Sequence, residues 1–219
     1  MIDITKSLGG LIDTRVVQMS KSDVLTIVEE TGKAAIFLLT ATLVMFALTR
    51  VMKSKGFRFK QPLVMTLGVI YAILLTVFYH GVDLYTIKGF FLFAVLVYAS
   101  CSDITSHEVD DSVWILIFAL ALIKPHSIMS MALAANIVFL PQIVIAIIGK
   151  KSLGGADIKI STVLAFLLGL ERGLVAMFIG LLSAVIVTLI RHIRHRELRG
   201  EPFALVPFLS VGAAVLYLI

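Results

Sequence analysis

"GGADIKISTVLAFLLGL", residues 154–170, sets an aspartate behind two glycines and then runs on almost without a polar side chain. The apolar part is continuous and does not alternate, so it predicts a buried or membrane-embedded helix and argues against a barrel strand. Similar runs recur along the chain at 34–51, 63–79, 90–101, 128–148, 174–190 and 203–219. Several of these reach the ~17 to 25 residues a helix needs to cross ~30 Å of hydrocarbon. Two shorter runs, 113–123 and 161–170, count as spans if each extends backwards through a polar stretch, to 109 and 157. The expected fold is therefore all-α, a polytopic transmembrane helix bundle of about eight spans.

Composition agrees. Of 219 residues, 59% are hydrophobic and 15% charged, and the mean hydropathy of +1.04 lies outside the range of soluble domains. The first 33 residues are mixed and polar and carry no signal-peptide pattern. Ser22 and Asp23 read as a helix start before "VLTIVEETGK", an expected interfacial helix. One cysteine, Cys101, excludes an internal disulfide and a cysteine-pair metal site.

The net charge of +5 suggests nucleic acid only until the cations are placed. Arg50, Lys53, Lys55, Arg58 and Lys60 share one loop. Lys150, Lys151 and Lys159 flank another, and Arg191, Arg194, Arg196 and Arg199 fill a third. The loops of the other side hold Lys88, Lys124 and Arg172. Twelve against three places the basic loops in the cytoplasm and both termini outside. The surplus is topological, and no nucleic-acid partner is expected. The division read from the sequence is a polar segment 1–33, two accessory helices in 34–84, and a six-helix body in 85–219, with lipid around it and no stated oligomeric state.

A charge at the bilayer centre costs at least ~2.5 to 3.5 kcal/mol, which singles out acids in or beside spans. Asp103 closes "FLFAVLVYASCSD" and Asp157 opens "DIKISTVLAFLLGL"; both fall at cytoplasmic helix ends. Brought together they would share a proton, because adjacent carboxylates do not both ionise cheaply. One would take a proton from water while the other polarised a peptide carbonyl, with no cofactor or metal. Gly154 and Gly155 would give the loop backbone freedom and let a substrate or neighbouring helix approach closely. The alternative is that each aspartate caps a helix or faces headgroups, Asp157 being favoured by the helix dipole.

"SDITSHEVDDSVW" with "GGADIKISTVLAFLLGL" resembles the type IV prepilin peptidases and archaeal preflagellin peptidases, membrane aspartyl proteases with a GxGD motif. The resemblance runs from about Tyr85 to the C-terminal residue. It implies that Asp103 and Asp157 are catalytic, that Val109, Asp110 and Asp111 occupy the family's triplet, and that Gly154, Gly155, Ala156 and Lys159 form the second motif. The late "PFALVPFLSVG" is loosely similar to the family's proline-rich last helix. Ala156 replaces the motif's second glycine, which would disfavour a positive φ there; activity is expected to survive so small a change. The family implies removal of short basic leaders from prepilin-like or preflagellin-like protein precursors at the cytoplasmic face of the inner membrane. The cysteine pairs of its bacterial methyltransferase segment are absent from this sequence, and methylation is not expected.

Glu108, Asp110 and Asp111 form an acidic patch in a basic surface and are candidates for holding such a leader; alternatively the loop is simply polar and Asp111 caps the next helix. Lys159 reads as an interface anchor before a tuner of the dyad. His107 reads as a loop residue, and His192 with His195 as a solvated helix end. The competing function is a proton-coupled transporter using paired acids, disfavoured because the acids lie at a boundary and not at mid-span.

Overall fold

The computed structural model describes residues 21–149, 154–195 and 203–219, without the side chains of residues 21–23, 192, 194 and 195. All regular structure among them is helical: α1 Lys21–Ser54, α2 Gln61–Phe78, α3 Leu84–Ser106, α4 Asp111–Leu122, α5 Ile128–Ile148, α6 Gly155–Leu168, α7 Leu170–His195 and α8 Val206–Leu218. The helical bundle expected from the apolar runs is what the chain forms. Large apolar side chains cover its outside, among them Ile36, Phe46, Val77, Leu140, Ile148, Phe178 and Val185. That distribution suits a surface facing lipid.

Five helices, α1, α2, α3, α5 and α7, are long and apolar enough to cross a membrane. The other three are shorter than the expected eight full spans require. With 12, 14 and 13 residues, α4, α6 and α8 reach only about 18 to 21 Å at 1.5 Å per residue. All three begin at the same end of the bundle. α4 and α6 are joined there by Lys159 and Asp111, and the first residue of α8 is bonded to Asp103 near the end of α3.

The N-terminal part departs from expectation. No separate interfacial helix starts at Ser22; α1 is one helix of 34 residues that absorbs the "VLTIVEETGK" segment. Lys33 pairs with Glu29 and Glu30, one turn back, which makes that polar stretch compatible with a continuous helix.

α1 and α2 pack on one another and against α3; α3 packs on α4 and α8; α6 lies among α4, α5, α7 and α8. Tyrosines tie α8 to its neighbours: Tyr71 of α2 and Tyr79, which follows it, donate to the carbonyls of Ala214 and Tyr217, and Tyr217 donates to that of Tyr85. Small residues bring α7 and α8 close, since a Cβ on Gly212 would overlap the carbonyl oxygen of Ala176. Between α6 and α7 the chain turns on Gly169 alone, at φ +80°, a left-handed conformation that favours glycine.

Candidate active site

Asp103 sits in the last turn of α3, one turn before His107 ends the helix in a left-handed conformation and donates its N–H to the Asp103 carbonyl. The residue is buried, 6% exposed, and its Oδ2 accepts the Val206 N–H at 2.9 Å. That N–H belongs to the first turn of α8, where helical N–H groups have no partner inside the helix. Asp103 therefore satisfies a backbone donor 103 positions away while remaining next to the bundle's short-helix end.

Asp157 lies in the first turn of α6 and is half-buried. The helix begins here because Gly154 is extended, at φ −67° and ψ 138°, and the following residues are helical. Both acids border α8: Asp103 is bonded to its first residue, and the helix that carries Asp157 packs on it. Their helices, however, do not pack on one another among the described residues. Both pack on α4 and α8 instead, so those two short helices bridge α3 and α6.

The glycine loop works differently from the sequence reading. Neither Gly154 nor Gly155 is at positive φ, so backbone freedom is not what the pair contributes. Close approach is: a Cβ on Gly154 would come 3.0 Å from Asp157 Oδ2, whereas one on Gly155 would meet nothing within 4 Å. Ala156 is an ordinary residue of α6, where no positive φ is required and alanine is the better helix former.

Of the acidic patch, only Glu108 is exposed with no ion pair among the described residues. Asp110 Oδ2 accepts from Lys55 Nζ at 2.9 Å and from the Tyr98 hydroxyl at 2.8 Å. Asp111 Oδ1 accepts from Lys159 Nζ at 2.7 Å and from the Trp114 indole N–H at 3.2 Å. Asp111 does not cap α4; it is the first helical residue, and Asp110 holds the cap position without a capping bond. Lys159 is correspondingly a partner of Asp111 lying over the Trp114 ring, with part of its stem in water, and is more than an interface anchor.

Lys55, Tyr98 and Val206 escaped the sequence reading as site residues. Tyr98 had a signal, a polar ring five positions before Asp103 inside an apolar helix. Lys55 was hidden among the other cations of its loop. Lys150 and Lys151, Arg196 and Arg199, and the side chains of Arg194, His192 and His195 lie outside what the structure describes.

The sequence model of the type IV leader peptidase family matches residues 90–189, just under half of the chain. Neither the comparison with curated proteins nor that with solved structures returned a match. The matched segment contains Asp103, Asp157, the acidic patch and all of α4, α5 and α6. Over those residues the chain is similar to the type IV leader peptidase family, a family of membrane proteases, and its long apolar helices are those of a multi-pass membrane protein.

Proposed function

We propose that the protein is an aspartyl endopeptidase of the cytoplasmic (inner) membrane that removes short basic leaders from prepilin-like or preflagellin-like precursors, with Asp103 and Asp157 as its catalytic pair. One observation carries this reading. Two acids remote in sequence lie at the same end of the helical bundle, Asp103 bonded to the first residue of α8 and Asp157 in the first turn of α6, which packs on α8, while their own helices do not touch among the described residues.

The chemistry follows from sharing a proton. The ionised member of the pair takes a proton from water, the water oxygen attacks the scissile carbonyl carbon, and the protonated member donates to the carbonyl oxygen. Collapse of the tetrahedral intermediate breaks the C–N bond and passes a proton to the leaving amine. Val206 N–H holds Asp103 Oδ2 in place during this cycle. Gly154, in the GxGD-like loop with Gly155 and Ala156, keeps the space beside Asp157 Oδ2 clear. Glu108, Asp110 and Asp111 receive the basic leader, and the positive-inside pattern orients the site to the cytoplasm.

The decisive experiment incubates membranes containing the protein with a prepilin-like precursor and compares wild type with Asp103→Asn and Asp157→Asn. Each substitution is expected to reduce cleavage by about 10²- to 10⁴-fold, the usual effect of losing a general acid or base. Retained cleavage in either variant rejects the pair.

A further inference from the structure

The α1–α2 loop, outside the segment matched by the family, is docked on the acidic patch at several points. Lys55 Nζ donates to Asp110 Oδ2 at 2.9 Å and to the Tyr98 hydroxyl at 2.6 Å. Phe57 packs on the Tyr98 ring with centroids 5.4 Å apart. The Arg58 N–H donates to Thr105 Oγ1 at 3.1 Å. A cation of the chain itself thus holds the carboxylate that an incoming basic peptide would need.

The contact is built to exchange. The Lys55 and Asp110 side chains are 46% and 53% exposed, and ion pairs so open to water are weak and easily screened. Tyr98 and Asp110 keep the Lys55 ammonium above the ordinary lysine range, so it stays charged and competes at any working pH. Glu108, two residues away, carries no ion pair among the described residues and remains open to a first encounter.

We propose that Lys55 is an internal competitor for the leader subsite: it occupies Asp110 until a sufficiently basic peptide displaces it, and so sets how much positive charge a substrate must carry. The proposal rests on the reading of Glu108, Asp110 and Asp111 as the leader subsite, and it gives the two N-terminal helices a part in substrate choice.

Trp114 provides a readout separate from proteolysis. It is the chain's one tryptophan, and its indole N–H donates to Asp111 within the same patch. Its emission is followed while a short lysine- and arginine-bearing peptide is titrated into the full-length protein in vesicles at low salt. Lys55→Gln is expected to bind that peptide about five-fold more tightly than wild type, the scale of one exposed ion pair. Lys55→Arg, which keeps a competing cation, is expected to match wild type. Tyr98→Phe removes a second donor from Asp110 and the other acceptor of Lys55, and moves the affinity in the same direction as Lys55→Gln. Unchanged or weaker binding in Lys55→Gln overturns the proposal.

A variant with Glu108→Gln, Asp110→Asn and Asp111→Asn separates the two ideas. If it loses the peptide while Lys55→Gln leaves affinity unchanged, the leader subsite stands and the competitor falls. If it binds the peptide as wild type does, the leader subsite falls and takes the competitor with it.

Discussion

At the scale of single residues, the site depends on the room beside Asp157. A methyl group at 154 would press on Asp157 Oδ2, and Gly154 is already extended at a φ any residue tolerates. Gly154→Ala is therefore expected to leave the protein folded while lowering kcat/KM by roughly ten-fold through a misplaced carboxyl. Thermal unfolding and precursor cleavage measured on one preparation check both halves. Ala156→Gly makes the opposite case: restoring the motif glycine adds no needed freedom and costs up to about 1 kcal/mol of helix propensity. Its expected result is unchanged cleavage with slightly lower stability; a clear gain in activity would contradict the helical role assigned to position 156. Asp103 and Asp157 stood out in the sequence as candidates because acids are rare in apolar segments. The use of Gly154 for clearance was not, since sequence does not distinguish a glycine needed for φ from one needed for space.

Among the elements, α8 is the piece that connects packing to chemistry. Its first N–H holds Asp103, and its position is set by glycine contacts with α7 and by bonds from Tyr71 and Tyr79. Gly212→Val places side-chain atoms into the Ala176 backbone, so α7 and α8 must separate and Val206 shifts from Asp103. Cleavage is expected to fall at least ten-fold, with a lowered melting temperature; Ser210→Ala, removing only a half-buried hydroxyl contact with Ser100, is expected to have a minor effect. Helix existence was readable from the apolar runs. Helix length was less so: Val109 and Asp110 stay outside α4, which starts at Asp111, and 22–33 join α1, where Lys33 pairs with acids one turn back. The bond between Asp103 and Val206 joins positions that no local pattern relates.

Across the whole molecule, two ends are distinguished by their contacts. One gathers Lys55, Arg58, Asp103, Asp110, Asp111, Lys159 and Val206. The other gathers Tyr79, Tyr85, Ile123, Lys124, Arg172 and Tyr217, through contacts such as Lys88 Nζ to the Ile123 carbonyl and Lys124 over the Tyr85 ring. The alternation of loops read from charge leads to the same two groups. With Cys101 first replaced by serine, cysteines introduced at Gly56 and Glu108 are expected to react with an impermeant thiol reagent from the cytoplasmic side only, and cysteines at Lys124 and Glu171 from the opposite side only. Labelling of Gly56→Cys and Lys124→Cys from one side would overturn the orientation. The short reach of α4 has one more consequence. A helix about 10 Å too brief for the hydrocarbon layer, with Ile115, Leu116, Phe118 and Leu122 on the outside of the bundle, creates hydrophobic mismatch, which a membrane relieves by thinning around it. Acyl-chain length then becomes a control on the enzyme: in vesicles of progressively longer-chain lipids, thinning grows costlier, water reaches the carboxyls less readily, and turnover is expected to decline.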